Sequence, residues 1–522
     1  MSSPISQLCA VIIKERFGNT PTDVVVVLSK GPLPLPLIAK ELAPTRKLNK
    51  IRRALASLVN MDLVSFSLGD GNRVVYKLEY QMILNLLKIP RVCMILFGCY
   101  GSLADAIFME FMRHGRQTYS TCISAATNGG TNQISELREI FHKLIDTHLL
   151  RRCPDIVSDA YDCPVFEQTD DPYGIPPCFF LDEIEPFMEP SKLSGGKRKH
   201  GDGRDGAPDA HILWAVDWDR VDRMLRDYMV RETIVNCSVT EYTCKATAFS
   251  FLSYNQTRCD LRAFSSSPTA VNEIVRATKE AYADLDRTQI ERSLRLLHDD
   301  TRGIIRKSGE SAGGLYVLDY ERAVALSCEL QIESYIREKF GDRAVRIFKL
   351  LNEKGFLEEE QIEKMVMMSA KEARELTYEL VDAGLVSVRH ISKTNDFAPA
   401  RTFYLYHVNM QSVMTHMLNT TAKFIHNIVE RRLHGAKRHV RLLEQSQKLE
   451  EVFRKIEVDN SLTAEEKKEQ QSDARESFMS RSDTEFLDKY ESALKTACLI
   501  EVLQVDSFVM FEQYLEFAKR RC

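Results

Sequence analysis

Leu48-Asn49-Lys50-Ile51-Arg52-Arg53-Ala54-Leu55, running on through Val59 and followed by Val64–Leu68, Gly69-Asp70-Gly71-Asn72 and Val74–Leu78, decides how the chain is read. Leu48, Ile51, Leu55 and Leu58 recur at the spacing of one apolar helical stripe. The Gly-Asp-Gly-Asn tip lies between two β-branched runs, a strong hairpin pattern. Upstream, residues 5–17 and 35–42 carry helical periodicity, so the unit reads as three helices followed by a hairpin. That is the winged-helix variant of helix-turn-helix, whose third helix can lie in a DNA major groove.

The pattern recurs. A second copy places Ile134, Leu137, Phe141, Leu144 and Ile145 on its helix and residues 149–152 on a strand, with the return strand expected only at 212–216. Helices over 103–113 and 119–126 precede it. A third uses Ile290, Leu294 and Leu297, then strands over 303–307 and 315–318 around a glycine-rich tip, with 219–230 as its first helix. A fourth uses Ala373, Leu376 and Leu380, then strands over 385–391 and 402–408, after helices over 343–351 and 359–367. Beyond 408, Thr421, Ile428, Gly435, Leu442, Leu449 and Ile456 mark a seven-residue seam, as do Met417, Phe424, Arg431, Arg438, Gln445 and Val452. The polar stretch 457–476 offers a reversal, and Phe486, Tyr490, Leu494, Leu499 and Leu503 resume the stripe.

The fold class is therefore mostly α with small β-wings: four tandem winged-helix domains followed by a C-terminal antiparallel coiled-coil hairpin. The expected boundaries are 1–88 for the first winged helix, 89–153 plus 211–217 for the second, and 154–210 for an insertion. Residues 218–325 and 326–408 form the third and fourth, and 409–522 the helical hairpin.

Composition narrows the function. Lys plus Arg total 70 against 74 Asp plus Glu, a net charge of −4, so any DNA contact must come from local patches. The 13 cysteines contain no C-x-x-C pair, which points to free thiols in a reducing compartment and removes a zinc ribbon. The apolar runs 24–28 and 92–97 are far short of the ~20 residues of a membrane span. Gly195-Gly196-Lys197 is followed by Arg198 where a phosphate loop needs Ser or Thr. There is no zinc-protease helix, nucleophile elbow or calcium loop, so no catalytic residue, metal or cofactor is expected.

Charge on the third helices separates the copies. In the first, Lys47, Lys50, Arg52 and Arg53 follow Arg46 and meet no acid before Asp62. In the third, Arg292 and Arg295 are joined by Arg302, Arg306 and Lys307 of the wing. These nine residues are the DNA-binding candidates, through backbone contact rather than base readout, since no Arg-plus-Asn pairing is presented. In the second, Glu136, Glu139 and Asp146 offset Arg138 and Lys143. The fourth is acidic: Glu372, Glu375, Glu379 and Asp382 face a protein partner, and Arg431, Arg432, Lys437 and Arg438 of the hairpin suit an acidic one. The insertion carries ten acids and no Lys or Arg over 155–189, is rich in proline and is expected to be extended; 192–204 then turns basic.

Several runs resemble one known family, the large winged-helix subunit of eukaryotic RNA polymerase III. They are residues 8–18 (LCAVIIKERFG), 147–154 (THLLRRCP), 307–317 (KSGESAGGLYV), 340–348 (FGDRAVRIF) and above all 398–406 (APARTFYLY), with Glu430-Arg431-Arg432 and Arg441-Leu442-Leu443-Glu444 behind them. Residues 155–206 and 235–267 match little beyond position. The resemblance implies a non-catalytic subunit held beside the polymerase clamp with a smaller winged-helix subunit and a small acidic subunit. Such a subunit is architecturally related to transcription factor IIE alpha, and the three-subunit subcomplex serves promoter-directed initiation and DNA opening for 5S rRNA and tRNA. It also implies a nuclear protein with a cytosolic pool, linked in vertebrates to innate immunity and antiviral defense through foreign AT-rich DNA. Charge reversal at Arg302, Arg306 and Lys307 is then expected to impair promoter opening. Two rival readings are a protein scaffold without DNA contact and a stand-alone winged-helix regulator, which needs a strongly basic recognition helix and a palindrome.

Overall fold

The computed structural model describes the chain except residues 1–2, 44–45, 70–72, 127–133, 161–162, 168–170, 176–208, 210–211, 238–240, 261, 393–401, 459–463 and 522. The protein is mostly helical and packs as two compact units, one of Met1–Lys88 with Thr420–Asp506 and one of Ile89–Asn419 with Ser507–Cys522.

The first unit opens with α1 (Pro4–Phe17), α2 (Asn19–Leu28), β1 (Leu33–Pro34), α3 (Leu35–Leu42), α4 (Leu48–Asn60), β2 (Val64–Leu68) and β3 (Val74–Leu78). The strands lie in the order β1-β3-β2, antiparallel, with Phe66 opposite Tyr76. The hairpin read from the sequence is present, and its tip at 70–72 lies outside the described residues. Helix α2 was not expected. Its valine run lacks the polar face that gives a 3.6-residue signature, yet Val24, Val25, Val27 and Leu28 are buried. On α4, Ile51, Ala54, Leu55 and Leu58 are buried while Leu48, the first member of the stripe, is exposed.

Helix α5 (Tyr80–Tyr100) follows. By length and its mean hydropathy of 1.7 it would suit a membrane span, which the short apolar runs did not suggest, because Asn85, Lys88, Pro90 and Arg91 interrupt it. Here Ile83, Leu86, Val92 and Leu96 are buried by protein, as are Lys88 and Arg91.

Next come α6 (Ser102–His114), α7 (Tyr119–Ala126), α8 (Ile134–Asp146), β4 (Leu150–Arg152), β5 (Asp155–Ala160), β6 (Cys163–Glu167) and β7 (Trp214–Val216). Strand β4 pairs with β7, Leu150 opposite Val216, so the delayed return strand is where the sequence placed it. Phe141 of α8 meets Tyr119 and Trp214 edge-on at 4.9 and 5.8 Å. The insertion, expected to be extended and poorly packed, is ordered at both ends. Strands β5 and β6 pair with each other. Tyr173 stacks on His148 at 4.0 Å and donates to Asp217 at 2.6 Å. Buried Asp209 accepts from the Ser120 amide and hydroxyl at 2.8 and 3.0 Å. Acids that find such donors need no solvent; composition alone does not reveal the donors. The basic stretch 192–204 lies outside the described residues.

The chain continues through α9 (Trp218–Cys237), α10 (Tyr242–Asn255), β8 (Thr269–Ala270), α11 (Val271–Ala281), α12 (Arg287–Asp299), β9 (Ile305–Gly309) and β10 (Leu315–Leu318). The sheet order is β8-β10-β9. The three-helix set here is α10, α11 and α12, rather than one starting in 219–230; α9 packs on α10 and on α13 (Tyr320–Phe340). Gly313 and Gly314 turn the wing at φ 84° and 120°, a region side chains disfavour. Helices α14 (Asp342–Lys354), α15 (Glu359–Val366) and α16 (Ala370–Asp382) then lead to the hairpin of β11 (Ser387–Ser392) and β12 (Thr402–His407).

Helix α9 carries a buried charge cluster. Arg226 and Asp227 are 1% and 3% exposed and pair at 3.0 Å. The Arg226 guanidinium lies 3.6 Å over the Tyr320 ring, and Arg220 donates to the Thr147 carbonyl at 2.9 Å. Burial pushes the Asp227 carboxyl above its usual range in spite of Arg226.

Four helices close the chain: α17 (Met410–Arg438), α18 (Val440–Val458), α19 (Ala464–Phe478) and α20 (Arg481–Arg521). The polar reversal expected at 457–476 is in good part helix α19, which packs on α18; Leu449, Met479 and Leu487 form a small core there. Gly435 in the heptad seam has a reason: a Cβ would come within 3.3 Å of Tyr490. In the first unit, Lys14 of α1 pairs with Glu430 at 2.6 Å. Arg432 bridges Glu15 and Glu501, both at 2.8 Å.

Nine cysteines have described side chains and all are free; Cys99 and Cys498 are exposed, while Cys9, Cys122 and Cys328 are buried. Burial pushes the Cys9 and Cys122 thiols up to about 12. An aromatic disulfide reagent at pH 8 should label Cys99 and Cys498 within minutes and leave Cys9 and Cys122 unlabelled until denaturant is added. Fast labelling of Cys9 in the native protein contradicts the packing.

Candidate nucleic-acid interface

Helix α4 buries one stripe and leaves its remaining surface to solvent, so the cations between the apolar positions point outward. Lys47, Lys50, Arg52 and Arg53 are all exposed. None makes a side-chain hydrogen bond or ion pair among the described residues. Arg46, next in sequence, is drawn back to Asp23 of α2 at 2.8 Å, and sequence reasoning could not separate it from its neighbours because α2 was not foreseen. The result is a helix face with four free positive charges.

The third module differs. Arg292 and Arg295 are exposed on α12 and make no ion pair among the described residues. Glu291, which shares their helix, is held by Arg287 at 2.8 Å. The wing is largely self-neutralised, contrary to its reading as a basic surface. Arg306 pairs with Asp319, and Lys307 with Glu310 at 2.9 Å. Arg302 is half-buried and turned into a cleft of about 510 Å³ that also holds Glu321, Arg322, Glu329 and Arg521. Spacing along a strand could not show this, because Asp319 lies beyond the return strand and the acids of the cleft lie on other elements.

On α16 the acidic face is present but partly spent. Glu372 pairs with Arg343 of α14, and Glu375 lies 3.8 Å from Lys371. Glu379 and Asp382 are exposed and make no ion pair among the described residues. Of the C-terminal cations, Arg432 is committed to Glu15 and Glu501 with 19% of its side chain exposed, so it is an internal tie rather than a docking residue. Arg431, Lys437 and Arg438 are exposed. Truncating Arg432 to Ala strips both carboxylates of their partner and should cost about 1–3 kcal/mol. Thermal unfolding of Arg432→Ala beside Arg431→Ala, which should be near neutral, reads the difference.

Known proteins match throughout. Residues 7–69 fit a family model described as RNA polymerase III subunit RPC82 helix-turn-helix domain. Residues 183–326 fit one described as RNA polymerase III subunit RPC82, and 332–408 one described as POLR3C, C-terminal winged-helix domain. The DNA-directed RNA polymerase III subunit RPC3 of Danio rerio is 30% identical over 495 residues, covering 88% of this chain and 89% of that protein. The chain belongs to the RPC3 family of RNA polymerase III subunits. The RPC3 proteins of Rattus norvegicus and Homo sapiens are 29% and 28% identical, each over 99% of both chains. The helix-turn-helix match spans α1 to α4 of this RPC3-family chain, and the C-terminal winged-helix match spans the α14–β12 module.

Proposed function

We propose that the chain is a nuclear, non-catalytic subunit of RNA polymerase III that works by placement. In this reading four winged-helix modules and a C-terminal coiled-coil hairpin sit beside the clamp with a smaller winged-helix subunit and a small acidic subunit. They serve promoter-directed initiation and DNA opening for 5S rRNA and tRNA genes. A cytosolic pool meeting foreign AT-rich DNA belongs to the same reading. The observation that carries DNA contact is the α4 face, where Lys47, Lys50, Arg52 and Arg53 are exposed without acids to hold them. Lys and Arg placed this way neutralise phosphates and release counterions, giving weak, sequence-independent binding.

Arg292 and Arg295 are the free charges of a second contact, while Arg306 and Lys307 would have to exchange Asp319 and Glu310 for phosphate, and Arg302 its cleft. Glu379 and Asp382, with Glu372 and Glu375 beside them, and Arg431, Lys437 and Arg438 are assigned to protein partners. Affinity purification from nuclear extract, with the co-purifying chains identified, tests the assembly; recovery without polymerase subunits ends the reading. The self-neutralised third wing favours a second reading for that module alone, a protein-joining scaffold. It predicts that charge reversal at Arg292 and Arg295 leaves promoter melting unchanged, whereas the DNA reading predicts a several-fold loss of open complex.

A further inference from the structure

The hairpin of β11 and β12 does not cover its aromatic residues. Strand alternation puts Val388, Tyr404 and Tyr406 on one face of the pair. Tyr406 is buried at the floor, beside Tyr378 of α16. Tyr378 is 53% exposed, Tyr404 47% and Val388 39%. Together they line a groove of about 580 Å³ whose far side is the start of α15. That rim is acidic: Glu358, Glu359 and Glu360 line the groove, while Arg374, its one cationic lining residue among the described residues, is tied to Glu359, and Lys364 lies 3.9 Å from Glu360. Three carboxylates against these two cations leave the rim negative, and an open aromatic surface beside it attracts a desolvated cation and repels phosphate.

We propose that this groove receives a short basic segment of a partner polypeptide, with an Arg or Lys side chain laid across Tyr378 and Tyr404 and its charge held by Glu358 and Glu360. The site adjoins the α16 face assigned above to protein contact, sharing that helix through Tyr378, and it does not depend on which complex the chain joins. The strand alternation of 402–406 held the signal in the sequence, since Phe403 and Tyr404 in succession must expose one ring on each face of a two-stranded ribbon. The pairing with the α15 glutamates did not show there, because they lie some 40 residues earlier.

The full-length chain carrying a photoreactive benzoyl-phenylalanine at Tyr404, purified from cells in its native assembly, tests this. On irradiation the crosslinked peptide should come from a different polypeptide and carry Arg or Lys within about three residues of the attachment. The yield should fall at least five-fold when Glu360→Lys is added, with the co-purifying chains unchanged. Attachment only within this chain, for instance to residues 393–401, overturns the proposal, as do attachment to nucleic acid, no attachment, or a yield indifferent to Glu360→Lys. The co-purifying chains report the polymerase reading independently, so the two can fail separately.

Discussion

Replacing Lys47, Lys50, Arg52 and Arg53 together with Gln should remove most low-salt DNA binding by the isolated chain without unfolding it. All four side chains are exposed and none holds another part of the protein among the described residues, so the stability cost should stay within about 0.5 kcal/mol. Each phosphate contact contributes about 0.9 to the slope of log affinity against log salt. Four contacts therefore account for a loss on the order of 10²-fold between 50 and 200 mM salt, and the variant should lack that part of the dependence. Fluorescence anisotropy with one duplex at several salt concentrations measures both quantities. An unchanged slope removes α4 from the interface. The Arg292→Gln, Arg295→Gln variant should change the slope by about half as much, two contacts against four.

The largest stability effect belongs to α9. Replacing Arg226 with Met leaves the buried Asp227 without its 3.0 Å partner, and it also removes the guanidinium from Tyr320. Breaking a buried pair from one side typically costs about 3–5 kcal/mol. The sign of the pH dependence follows. Burial already raises Asp227, and without Arg226 only the weaker pull of Arg220 and Arg223 opposes it. A carboxyl raised in the folded state binds its proton more tightly folded than unfolded. The variant should thus be least impaired in acid and lose stability as pH rises from the unfolded carboxylate pKa through the raised folded one. Both tryptophans, Trp214 and Trp218, lie in the second unit, so their fluorescence during urea unfolding reports on the cluster directly. Equal losses at pH 5 and pH 8 exclude this account.

Much of the architecture was legible because helix stripes and hairpins are local signals. The α4 stripe, the β2–β3 pair and the delayed β4–β7 pairing all follow from residues close in sequence or from a missing partner strand. Where reading failed, the information was not local. Helix α2 is apolar on too many sides to show a period, and α10 has its buried residues spread around the helix rather than on one stripe. The site divides the same way. Exposure of the α4 cations follows from the stripe beneath them. Neutralisation of Arg306 by Asp319, of Glu372 by Arg343, and of Arg432 by Glu15 and Glu501 depends on residues brought together only by folding. Counting charges along a helix therefore overstates what its surface offers.

The first unit draws on both ends of the chain, with Lys14 and Glu15 meeting Glu430 and Arg432. At a ribosome adding about 5–20 residues per second, α1 leaves the exit tunnel on the order of 20–80 s before its last partners are made. During that interval a nascent chain holds two unanswered charges and an apolar α1 face, which is the window in which a chaperone would find it.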